Sequence, residues 1–141
     1  MLVNVLQKNR LPADQTTLER NILRLLESDK IGESTRLLRL FMSDQRFEPV
    51  SKLRVRCYFE YYRGDFNKAK ELGLQSLKLD NQNVKILNLL GKIYLRQNDT
   101  SNALKFFDSA HKLVPGNMSR LLVLSDLNAD LGDTEKSKQY L

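Results

Sequence analysis

Chemistry starts from side chains that can attack, carry a proton or hold a metal, and this chain of 141 residues has few of them. Its one histidine is His111 and its one cysteine is Cys57. A thiol nucleophile needs a base within hydrogen-bond reach. These two residues lie 54 positions apart, on helices of different sequence units. Cys57 is expected to be buried and inert, and His111 to lie at the surface. A metal site needs clustered His, Cys and carboxylates, and no such cluster occurs, so neither metal nor cofactor is expected. Gly91-Lys92 falls in mid-helix and lacks the preceding strand and glycine of a phosphate-binding loop. Asp126 and Asp130 stand one helical turn apart, a spacing more typical of a solvated face than of a catalytic pair. The chain is expected not to be an enzyme.

What remains is recognition. The formal net charge is +6, and it is uneven. Residues 1–70 hold 14 Lys/Arg against 9 Asp/Glu, and residues 71–141 hold 9 against 8. This bias favours acidic partners. There is no basic cluster of five or more and no nucleic-acid motif, so nucleic acid is the lesser expectation. No apolar run of about 18 residues exists, so no membrane span is predicted. The first ten residues lack the pattern of a secretory signal. A lone cysteine fits a reducing compartment. These features point to the cytoplasm.

The elements that must position any binding residues are clearest between Val84 and Pro115. Ile86, Leu87, Leu90, Ile93 and Tyr94 recur at helical spacing, and so do Ala103, Leu104, Phe106, Phe107, Ala110, Leu113 and Val114. A break at 97–100 separates two amphipathic helices. Gly91 and Ala103 are small where two helices would cross closely, and a packed crossing leaves no room for more. Leu87, Leu90, Gly91, Tyr94, Ala103, Phe107, Ala110 and Pro115 resemble the tetratricopeptide repeat signature in order and spacing. Only the first position departs, with Leu87 where the family often has Trp.

A repeat should recur at its own period. A step of 34 from Leu87 reaches Leu53 and Leu121, and a step from Asp99 reaches Asp65 and Asp133. Gly91 steps to Cys57 and Ser125, both small. The hinges Arg63-Gly64-Asp65, Gln97-Asn98-Asp99 and Leu131-Gly132-Asp133 repeat one chemistry. Gly or Asn suits a left-handed helix end, and Asp can cap the next helix. The copies degrade outward: Gly73 and Ser76 stand where Phe107 and Ala110 do.

Residues 1–9 could be a capping turn or the tail of a preceding domain. Asp14 or Thr16 could cap a helix at 17–28, with Leu18, Ile22, Leu25 and Leu26 inward. After a break at 29–32, residues 33–43 form its partner, with Leu37, Leu38, Phe41 and Met42 apolar. The register slips here, so 16–45 reads as a divergent hairpin. Residues 50–82 are a second repeat, 84–117 the central one and 118–141 a last, truncated one. The short final helix suggests a fragment of a larger protein, whose last apolar residues could support self-association.

The resemblance implies an all-α fold, a right-handed α-solenoid of stacked antiparallel helical hairpins. It also implies a concave groove, lined by the first helix of each pair, that binds a peptide or partner protein. Carried over by position, Arg54, Tyr58, Tyr61 and Tyr62 would line it from the second pair. Lys85, Asn88, Lys92, Leu95 and Arg96 would line it from the central pair, and Leu122, Asp126, Ala129 and Asp130 from the last. The groove would be basic and aromatic at one end and acidic at the other. The rival use of the three tyrosines is packing against the first pair. Some family members clamp a C-terminal carboxylate, but Arg54, Tyr58, Leu89, Ser119 and Val123 depart from that pattern. The expected function is a non-enzymatic scaffold or regulatory module. Alternatives are a regulatory region of a bacterial signalling protein, such as a response regulator, and nucleic-acid binding through the basic first half.

Overall fold

The computed structural model describes residues 14–132. Among them are seven helices and no strand: α1 (Gln15–Glu27), α2 (Ile31–Ser43), α3 (Pro49–Arg63), α4 (Phe66–Leu79), α5 (Val84–Arg96), α6 (Thr100–Leu113) and α7 (Met118–Asp130). The expected capping turn at 1–9, the helix at 134–141 and the apolar terminus Leu141 lie outside the described residues. The chain divides into two compact units, one ending at Ser76 and one starting at Leu77.

The first unit is built on an apolar stripe. Leu18, Ile22 and Leu26 recur every four residues along α1 and are all buried. They meet Leu37 and Phe41 of α2, Phe47 of the connector, and Val55 and Phe59 of α3 in one core. The rings of Phe41 and Phe47 lie 4.8 Å apart. Burying each large side chain contributes roughly 1.5–3 kcal/mol. Asp14 caps α1 by accepting from the backbone N–H of Thr16. Gln15 then links the starts of α1 and α3, donating to Ser51 Oγ at 2.7 Å and accepting from the Glu48 N–H at 2.9 Å. The break before α2 is shorter than expected, because Gly32 lies inside the helix.

α3 and α4 meet at a tight crossing. Cys57 is fully buried, and its Sγ lies 3.1 Å from the Ala69 carbonyl. Burial pushes its thiol up to about 12, despite a hydrogen bond with the Gly73 backbone. Gly64 ends α3 at φ 90°, and Asp65 Oδ1 accepts from the Lys68 N–H to start α4.

The second unit repeats the device with the bulk exchanged. A Cβ on Gly91 of α5 would lie 2.6 Å from the Phe107 ring of α6. Phe107 therefore sits directly on the α5 backbone, beside the fully buried Ala103. Leu124 and Leu127 of α7 complete this core. Asn98 turns the chain at φ 58°, and Asp99 Oδ1 accepts from the Asn102 N–H. Asn83 and Asn117 cap α5 and α7 in the same way, accepting from Ile86 and Arg120. Of the three leucines one period apart, Leu87 is buried, while Leu53 and Leu121 are half-buried. His111 is half-buried rather than fully at the surface.

Candidate partner-binding site

The expected binding residues of α3 lie in the first unit. Arg54 is not a free cation. Its guanidinium lies 3.5 Å from Glu19 of α1 and donates to Ser51 Oγ at 2.9 Å. Tyr58 is half-buried and packs against the core. Burial is the first cause that raises its phenol well above the ordinary range. Tyr61 is half-buried between Tyr62, edge-on at 5.2 Å, and Phe66 at 5.6 Å. Only Tyr62 is exposed. Tyr58 thus packs against the first pair, whereas Tyr61 packs against Tyr62 and Phe66 of its own hairpin.

The second unit holds a pocket of about 250 Å³. From α5 it is lined by Asn88, Lys92 and Leu95, three of the residues expected in the groove. From the start of α7 come Asn117, Ser119, Arg120 and Val123, and α6 contributes Phe107. Lys85 and Arg96 are exposed on α5 and do not line it. Leu122, Asp126, Ala129 and Asp130 are likewise exposed and take no part in the pocket. The structure thus joins α5 to the first turn of α7 rather than to its acidic later turns. The local cause is the Asn117 cap, which starts α7 at Met118 and directs Ser119 and Arg120 into the angle with α5.

Arg120 is the residue the sequence reading missed. It is 4% exposed. One guanidinium N–H donates to the Val114 carbonyl. Its Nε is enclosed and has no hydrogen-bond partner, and burial lowers its pKa. Among the described residues no carboxylate pairs with it. Asn88 Oδ1, on the same pocket, is also enclosed and unpartnered. A signal was available: 34 residues before Arg120 stands Ile86, which is fully buried. A charge in an apolar repeat position is a conflict between local chemistry and fold, and such conflicts gather at functional sites.

Among the described residues no group of three His, Cys or carboxylates could hold a metal. No described helix is long and apolar enough to cross a membrane.

Comparison with known proteins bears on the fold. Residues 84–115 match the profile of the tetratricopeptide repeat family. No curated protein matches. The fold is similar to MamA (12% identity, TM-score 0.71, covering 97% of this chain and 78% of that one). It is similar to PilF of Pseudomonas aeruginosa (14% identity, TM-score 0.73, covering 98% of this chain and 69% of that one). It is also similar to human IFIT1, solved as a dimer with PPP-AAAA (18% identity, TM-score 0.76, covering 92% of this chain and 31% of that one). At these identities the likeness shows the fold alone, an all-α, solenoid-like array of helical hairpins. The tetratricopeptide resemblance holds in sequence for the central repeat, and in fold for nearly the whole chain.

Proposed function

We propose, for a chain that carries a tetratricopeptide repeat within an all-α repeat fold, that it is a non-enzymatic protein–protein interaction module. It would bind an extended segment of a partner protein, in the cytoplasm. The observation that carries this reading is the pocket where Asn88, Lys92 and Leu95 of α5 face the first turn of α7. A preformed pocket between two packed helices limits the entropy lost on binding. Its surroundings are basic, with Lys85, Lys92 and Arg96 exposed along α5, so an acidic segment is the favoured partner. Tyr62, exposed on α3, would add a second contact in the first unit. Arg54, Tyr58 and Tyr61 would serve by holding that helix face in place.

The test is capture of partners with the intact chain, mapping of the bound segment, and titration of that peptide calorimetrically. Lys92→Glu, which reverses an exposed charge, is expected to weaken binding at least tenfold, while Lys78→Glu on α4 leaves it unchanged. Equal affinity for wild type and Lys92→Glu would remove the pocket from the reading.

A second reading is nucleic-acid binding through the basic first half. It is favoured by that charge and by the likeness to IFIT1, a protein solved with PPP-AAAA. Phosphate contacts give a steep salt dependence. Titration with single and double strands at low salt, with no binding, would discard it.

A further inference from the structure

The α5–α7 pocket ends on a buried positive charge that has no carboxylate partner among the described residues. Arg120 is almost wholly enclosed, spends one N–H on the Val114 carbonyl, and has no partner for Nε among the described residues. Burying a charge without a counter-charge is costly, and proteins rarely leave one so. Lys92 adds a second cation at the exposed side of the same pocket. The pocket also lies at the N-terminal turn of α7, a helix of 13 residues, where the backbone dipole favours negative charge. Three independent features therefore ask for an anion. The remaining lining is mixed: Leu95, Phe107 and Val123 form an apolar wall, and Asn88, Asn117 and Ser119 are polar. A ligand that satisfies both needs a charged end on a short hydrocarbon stem.

We propose that this pocket is the specificity site of the module, and that it takes the side-chain carboxylate of a glutamate in the partner segment. The methylenes of that glutamate pack against Leu95, Phe107 and Val123. Its carboxylate accepts from Arg120 and from Lys92. Asn88 supplies an amide that can turn to donate to the same group or accept from the peptide N–H beside it. A bare phosphate has no stem to fill the apolar walls. The proposal rests on the peptide-binding reading above and names the residue that reading leaves open.

The first test uses small probes and the intact chain. The Arg120 Nε–Hε and Asn88 side-chain amide signals are followed by ¹H–¹⁵N NMR during titration with N-acetyl-glutamate N-methylamide. Both are expected to move, and the glutamine analogue is expected to move neither. Equal movement with the glutamine analogue, or none with the glutamate compound, overturns the proposal. A larger response to N-acetylglycine reassigns the pocket to a chain terminus, and a larger response to inorganic phosphate reassigns it to a phosphoryl group. Either result overturns the side-chain assignment.

The second test uses arrays of end-blocked peptides. Wild type should favour a central Glu over Gln by about tenfold or more, as for a hydrogen bond to a charged group. Arg120→Met should lose that preference, and so should Lys92→Gln in large part; the latter is exposed and does not threaten the fold. Peptides that bind with no preference for Glu would sink this inference and leave the interaction module standing. NMR shifts with the glutamate probe, but no bound peptide on any array, would sink the module reading and leave the carboxylate site standing.

Discussion

At the scale of single residues, two crossings decide how closely helices approach. Gly91 has no side chain because the Phe107 ring occupies the place a Cβ would take. Gly91→Ala should cost about 1–3 kcal/mol by overpacking, visible as a lowered Tm. Adding Phe107→Leu should recover part of the loss, which a simple effect of Ala on the helix would not allow. Cys57 shows the opposite arrangement, with the bulk on α3 and Gly73 on α4. Because burial holds its thiol near 12 against an ordinary 9.0, the folded state resists ionisation. The stability it contributes is complete below pH 9.0 and is lost as pH climbs towards about 12. Cys57→Ala should flatten that alkaline decline in chemical denaturation, and the wild-type thiol should react with thiol reagents only on unfolding. Cys57 was legible as an inert buried thiol because a step of 34 from Gly91 lands on it. Arg120 was not legible, because core positions show in a sequence as an apolar stripe, and a buried charge breaks that stripe.

At the scale of elements, the hinges carry the repeat more faithfully than the helix faces do. Gly64, Asn98 and Gly132 all have positive φ, at 90°, 58° and 83°. Asp65 and Asp99 then cap the following helices. This much could be read from the period, since Gly or Asn before Asp has one stereochemical use. The first hairpin has the same left-handed turn, at Asp29 with φ 59°, but Lys30 follows it and makes no side-chain cap. Its sequence therefore hid a hinge that its backbone keeps, and α2 starts two residues before the position that its apolar spacing indicates. Gly64→Ala should destabilise by about 1–2 kcal/mol, the cost of a left-handed L-residue. Asn98→Gly should change stability by less than half as much, since Asn already tolerates that region. Parallel urea titrations of the two variants would compare them directly.

At the scale of the molecule, each compact unit owns a core. Ile22 is fully buried in the first, among Leu18, Phe41 and Val55. Ile22→Ala should cost about 2–5 kcal/mol. Hydrogen exchange should show the loss of protection concentrated in α1–α3, with α5–α7 changed less, as expected when stability is a sum of neighbouring contributions. Uniform loss would mean the two units open as one. The seat of Phe107 has one more consequence, in the second unit. The three outer carbons of its ring are almost equidistant from the point where a Gly91 Cβ would stand, at 2.6, 2.7 and 2.7 Å. That point is above the ring face, so one α-proton of Gly91 lies in the shielding cone of an aromatic ring current. Its resonance should appear far upfield, a natural and label-free signal that vanishes whenever α5 and α6 part.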